Sequence, residues 1–312
     1  MAKRDFSFRG ESQVLDAAAR STAPGSFVEL PDGVTHYELA GPPEGRLVVL
    51  AHGFSVPYYI WDPTFAPLVQ AGLRVLRYDL YGRGYSDRPD AVYNQDLFVR
   101  QLWHLLAALH VDRPVDLIGL SMGGAVAVAF TDQHPDMVHR LGLISPAGLP
   151  MKRPALAGLI QAPLLGEWFM SLLGDRLLVD WLRGDFRQPE KFPEYQAKYR
   201  VQMQYVGFKR ALLSTLRSGF LDDMTETYRR VGQQKRPVLL IWGREDKAIP
   251  FGTSEKAREA IPHLEFHAID DAGHVSHYER PEIVNRILLE FLRVANDAAA
   301  SFPRTQTGMM SC

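Results

Sequence analysis

Cysteine is almost missing from this chain: Cys312 is the only one in 312 residues. That excludes an intramolecular disulfide and a cysteine-built zinc site. Net charge is nearly absent as well. Lys and Arg number 35 against 36 Asp and Glu, a formal charge of −1, which gives no electrostatic ground for nucleic acid or an anionic membrane as partner. The basic pair Lys3-Arg4 is too short to change this. No apolar run reaches the ~18 to 20 residues of a membrane span, and the N-terminus has charges but no apolar run of the secretory type. Stable membrane insertion is therefore not expected, and the cytoplasm is the expected location.

What the chain has is apolar material in regular alternation. At 46% hydrophobic residues it can bury a sizeable core. Residues 1–25 read as a polar N-terminal arm or loosely packed helix ending in Ala23-Pro24-Gly25. Residues 26–30 and 34–39, around Pro31-Asp32-Gly33, read as an antiparallel hairpin. Strand and helix patterns then alternate, with apolar strands at 47–51, 73–78, 115–120, 141–144, 238–242 and 264–269 and a last helix over 281–296. Such alternation predicts an α/β fold, a mostly parallel sheet with helices on both faces. From 148 to 234 the rhythm breaks, and Pro154, Pro163, Pro189 and Pro193 separate short helical runs. This stretch reads as a helical cap over the carboxyl ends of the strands, inserted between core segments 26–147 and 235–312.

The run Val115 to Gly124 is an apolar strand that ends in Gly119-Leu120-Ser121-Met122-Gly123 and passes straight into a helix. A strand that reverses into a helix so abruptly holds the turning residue in strained backbone, and glycines leave it room. Ser121 is thus the expected nucleophile. A serine hydroxyl needs a base to take its proton and a carboxylate to orient that base. His274 follows the last strand in Asp270-Asp271-Ala272-Gly273-His274 and is the expected base, with His277 next in line and His267 and His36 in strands. Asp246, in the loop Gly243-Arg244-Glu245-Asp246, is the expected acid and is preferred to Glu245, because the chain order Ser, Asp, His suits this kind of triad. Two N–H donors are expected for the oxyanion. One is Met122, directly after the nucleophile, and the other is Phe54 in His52-Gly53-Phe54, with His52 bracing the loop. Hydrolysis should fall on acidification, with a midpoint near or below the ~6.5 of a free imidazole.

Taken together, His52-Gly53-Phe54, the Ser121 elbow, Gly243-Arg244-Glu245-Asp246, Ala272-Gly273-His274 and the loop Asp79-Leu80-Tyr81-Gly82-Arg83-Gly84-Tyr85-Ser86 resemble the α/β-hydrolase superfamily. The resemblance covers about residues 26–147 and 235–296. It implies an eight-stranded sheet and the triad chemistry, makes the Asp79 loop a structural turn, and leaves the substrate open. Serine at the elbow departs from the Asp of epoxide hydrolases and haloalkane dehalogenases. Leu120 and Val275 depart from the Asn and Trp typical of carbon-carbon hydrolases of aromatic ring-cleavage products. Leu120 and Ala125 also match the peroxidase-like members poorly. The cap is crowded with apolar residues between 156 and 182. Most are expected to be core, and Trp168 and Phe169 are expected to line the passage to Ser121. The expected activity is that of a serine carboxylesterase on small to medium apolar esters, monoacylglycerols among them, with no metal or organic cofactor. The alternatives are a carbon-carbon bond hydrolase and a non-catalytic binder of hydrophobic ligands.

Overall fold

The computed structural model describes residues 8–151, 158 and 161–293. Eight strands form one sheet: β1 (Ser26–Leu30), β2 (Gly33–Ala40), β3 (Leu47–Ala51), β4 (Arg74–Tyr78), β5 (Val115–Leu120), β6 (Val138–Ile144), β7 (Val238–Gly243) and β8 (Glu265–Ile269). Their spatial order is β1-β2-β4-β3-β5-β6-β7-β8. The hairpin β1–β2 and the pair β2–β4 are antiparallel, and every other pair is parallel. Parallel neighbours need crossovers, and the crossing helices bury both faces of the central strands. In β3, Val49 and Ala51 enter one core while Val48 and Leu50 enter the other, as the two-residue period of a strand requires.

The helices are α1 (Ala17–Ser21), α2 (Asp62–Gln70), α3 (Gln95–Ala108), α4 (Met122–Gln133), α5 (Leu165–Leu172), α6 (Gly174–Gly184), α7 (Pro193–Gln202), α8 (Phe208–Arg217), α9 (Thr225–Gly232), α10 (Ser254–Ala260), α11 (Ser276–Glu279) and α12 (Pro281–Arg293). Helix α3 starts where the Asn94 side chain accepts from Leu97 N at 3.0 Å, satisfying a donor that the first turn leaves free. Helix α4 is apolar and buried through its first ten residues, as befits a helix pressed between sheet and neighbours. Helices α5 to α9 lie between β6 and β7 in the chain, within the stretch expected to be the cap, and α9 buries Tyr228 and Val231 in the same core as α4; Leu156, Leu159 and Ile160 of the expected apolar set lie outside the described residues.

The arm differs from the sequence expectation. Phe8 is buried, Ser12 N and Gln13 N donate to Gln204 O at 2.8 and 2.9 Å, and Val206 N donates to Gln13 O at 2.9 Å. The Glu11 carboxylate accepts from Gly207 N at 3.1 Å and Lys209 N at 2.8 Å, at the positive end of α8. An acidic side chain that meets free helix N–H groups thus ties this polar segment to the cap. Among the described residues no helix is long and apolar enough to cross a membrane.

Candidate active site

The expected residues converge on one edge of the sheet because Ser121, Asp246 and His274 follow the carboxyl ends of β5, β7 and β8. Ser121 has φ +54° and ψ −119°, a conformation that costs a non-glycine residue about 1–3 kcal/mol and is held only by its surroundings. Those surroundings are backbone. Ser121 N donates to Ile144 O at 3.0 Å, and Ser121 O accepts from Gly124, Ala125 and Ala147 N. A Cβ on Gly123 would stand 2.2 Å from Ala51 O, and one on Gly119 would stand 2.3 Å from Gly123 O. Only glycine lets α4 approach β3 and β5 this closely. A Cβ on Gly53 would lie 3.4 Å from Ser121 Cβ, so the His52-Gly53-Phe54 loop runs beside the serine.

Helix α4 begins at Met122, and neither its N–H nor that of Phe54 donates a hydrogen bond to any described residue. Two free donors flanking Ser121 make a site for developing negative charge. His52 braces the loop, as expected: its Nε2 accepts from Leu80 N at 2.9 Å, and its Nδ1 lies 2.9 Å from Gly53 O. Burial lowers its pKa to about 4, so it stays neutral. Arg83 is fully buried beneath the same loop and donates from Nε to Phe54 O at 2.7 Å and from Nη2 to Thr215 Oγ1 at 2.9 Å. Desolvation pulls its pKa down to about 9.

Asp246 and His274 are joined, Oδ2 to Nδ1, at 2.8 Å, and both are buried. Asp246 Oδ1 accepts from Ala248 N at 2.9 Å and Ile249 N at 2.8 Å, which fixes the carboxylate. Burial opposes the imidazolium, but the Asp246 charge and hydrogen bond, with a smaller contribution from the Asp185 charge, outweigh it and raise the His274 pKa above 6.5. The expected midpoint near or below ~6.5 is therefore corrected upward. No hydrogen bond joins Ser121 to His274 among the described residues; such bonds are often long before substrate arrives.

Glu245, the weaker acid candidate, instead accepts from Ala272 N at 3.1 Å and ties the β7 and β8 loops together. His277 lies 3.1 Å from Ile60 O through Nε2 and packs on Trp61 at 4.6 Å; burial drives its pKa down to about 3. Its ring faces Ile60 and Trp61 and makes no hydrogen bond to Asp246. His36 is held by Asp79 at 2.7 Å, and the Asp79 carboxylate also accepts from Tyr58 N and Tyr85 N, so the Asp79 loop is a structural turn.

The cap contributes residues that the sequence reading missed. Asp185 ends α6, and its backbone oxygen accepts from His274 N at 2.8 Å and Val275 N at 3.4 Å. Burial, with repulsion from Asp246 and against attraction from His274, raises its carboxyl to about 7. One Asp at a helix end carries no sequence signal for this. Trp181 lies edge-on to Phe54 with ring centroids 6.0 Å apart. Trp168 pairs with the half-buried Phe169 at 5.2 Å, so the structure sets Trp181, and not Trp168, against the His52-Gly53-Phe54 loop. Among the described residues no three His, Cys, Asp or Glu side chains are grouped to share a metal ion.

The chain is 31% identical over 270 residues to a 2-hydroxymuconate semialdehyde hydrolase of Pseudomonas sp. (strain CF600), covering 82% of this chain and 90% of that one. Its fold matches the enol-lactonase of Burkholderia xenovorans LB400 with TM-score 0.75 at 24% identity, over 86% of this chain and 99% of the other. It matches a thermophilic esterase from Thermogutta terrifontis equally well, with TM-score 0.75, 24% identity, 86% and 99%. With residues 48–287 matching its pattern, the chain belongs to the alpha/beta hydrolase family.

Proposed function

We propose that this protein is a serine carboxylesterase acting on small to medium apolar esters. The observation that carries the reading is the buried Asp246–His274 pair on the same sheet edge as a strained Ser121 flanked by two unspent N–H groups. In this reading Ser121 Oγ attacks the ester carbonyl while His274 Nε2 takes its proton, and Asp246 stabilises the imidazolium. The carbonyl oxygen becomes an oxyanion held by the N–H groups of Phe54 and Met122. Collapse breaks the bond to the alcohol oxygen, which leaves with the proton from His274. Water, deprotonated by His274, then attacks the acyl-enzyme and releases the acid and Ser121. Trp181 beside Phe54, with Trp168 and Phe169 farther out, gives the approach an apolar lining suited to an acyl chain.

The second reading is carbon-carbon bond hydrolysis, favoured by the 31% identical hydrolase, which is named for 2-hydroxymuconate semialdehyde. Against it stand Leu120 before the nucleophile and Val275 after His274, where that class typically carries Asn and Trp. Hydrolysis of p-nitrophenyl esters from acetate to palmitate, measured beside a vinylogous 1,5-diketone, separates the two. Turnover of short or medium esters with no diketone cleavage is expected. Diketone cleavage with every ester inert would replace the esterase reading by the second.

A further inference from the structure

Helix α11 ends at Glu279, which takes no part in the chemistry above. Its carboxylate nevertheless lies between the two structures that frame the site. Oε2 accepts from Gly273 N, the residue before His274, at 2.6 Å. Oε1 accepts from Arg187 N at 2.9 Å and from Gln188 N at 3.4 Å, both in the segment that follows α6. The same segment accepts in return, through Asp185 O, from His274 N at 2.8 Å. The two backbones are pressed together, since a Cβ on Gly273 would stand 2.7 Å from Asp185 O and 3.0 Å from Arg187 N. Arg187 and Arg280 both reach Asp271, at 3.1 and 3.2 Å, closing the outer side of the contact.

We propose that Glu279 is a positioning residue that clamps the cap segment 185–188 to the His274 loop, so that seating of the cap and alignment of the base are a single event. The chemistry requires a carboxylate. Two acceptor oxygens face N–H donors on opposite sides, whereas Gln offers one oxygen and an NH2 group that cannot accept. The main-chain bonds to Asp185 O, the Asp271 ion pairs at the rim and the Phe186–Tyr278 ring contact also cross this junction, and Glu279 adds a side chain that holds both backbones at once, so its removal loosens the hold of each on the other. The inference rests on His274 being the base that activates Ser121.

The test is the full chain with Glu279→Ala and Glu279→Gln, studied well below their melting transitions. Two quantities are read: the maximal rate at which a short-chain fluorophosphonate labels Ser121, and kcat and KM on acetate and on longer esters. Misplacing the base should slow labelling and acetate kcat about 10- to 100-fold in the alanine variant, with acetate KM little changed. KM for longer esters, which reach the cap, should rise as well. The glutamine variant, which keeps shape and one acceptor, should show a smaller loss in the same direction, and it decides the question if the alanine variant does not fold. A merely structural role would lower the melting temperature and leave the rates of the folded enzyme alone. A folded variant that labels and turns over at wild-type rates overturns the clamp while the esterase reading stands. A wild-type protein that neither labels nor hydrolyses esters overturns both.

Discussion

The Ser121 elbow and the expected cap, which touches the Phe54 and His274 loops through Trp181 and Asp185, are held by different means. Around Ser121 almost every constraint is main chain: Ile144 O, the N–H groups of Gly124, Ala125 and Ala147, and the carbonyls of Ala51 and His52 that leave Gly123 no room for a side chain. In the cap the constraints are side chains of helices separated in sequence. Met170, Leu178, Val179 and Leu182 turn inward, Trp168, Leu172 and Trp181 stay largely exposed, and the Lys209 ammonium meets Asp175 at 2.6 Å. A backbone-built site specifies a reaction and tolerates few residue types. A side-chain-built enclosure can change its lining without disturbing the elbow, which is why related folds share chemistry but not substrates.

The comparison breaks most visibly at Ser121. Ser121→Ala removes the proposed nucleophile while the backbone bonds that strain the position remain, so folding should persist. Activity should fall on the order of 10⁶-fold in kcat, with labelling by a fluorophosphonate lost. Labelling that survives the substitution would move the nucleophile elsewhere. Asp246→Asn comes next, with kcat expected to drop about 10⁴-fold because the imidazole loses the charge and tautomer that Asp246 imposes. Glu245→Gln, which only weakens a tie to Ala272 N, should cost far less, and equal losses would contradict the assignment. The wild-type pH profile follows in sign. His274 works neutral, and its pairing with Asp246 raises its pKa, so kcat/KM of the free enzyme should rise with pH through a midpoint above the ~6.5 of a free imidazole. In the Asn variant, which lacks the charge, the midpoint should move down, and a midpoint that does not move would detach Asp246 from the base.

What the sequence revealed follows the same division. The elbow glycines, the order of Ser121, Asp246 and His274, and the apolar strands were legible because each is imposed locally: a turn without room for a Cβ, a loop at a strand end, a two-residue period. Strand β6 proved longer than the apolar run 141–144, since it starts at Val138, with Val138 and Arg140 paired to β5 across a register shift that skips His139, and with Arg140 buried near Asp116 at 3.4 Å. Charged residues hid that extension. Helix α2 carries Pro63 and Pro67 and gave no helical pattern worth assigning. Asp185, Glu279 and the docking of Glu11 on α8 were not legible at all. Each depends on a carbonyl or carboxylate meeting N–H groups from a distant segment, a pairing with no period and no motif.

The smallest expected effect tests the cap side by itself. Trp181 touches Phe54, whose N–H is a proposed oxyanion donor, whereas Trp168 has Phe169 as its ring partner among the described residues. Trp181→Ala should therefore remove a contact that a longer acyl chain uses and a minimal acetate does not. A contact of that kind is worth about 1 to 3 kcal/mol, roughly 10- to 200-fold in kcat/KM for the longer ester. Trp168→Ala, at a largely exposed position, should change stability by no more than about 0.5 kcal/mol and alter the ranking of acyl chains less. If Trp168→Ala or Phe169→Ala shifts chain-length preference more than Trp181→Ala does, the passage runs along α5 and not past the end of α6. If Trp181→Ala lowers every ester equally together with the melting temperature, the ring serves packing, and the difference between a fixed elbow and an adjustable lining fails at the one contact that joins them.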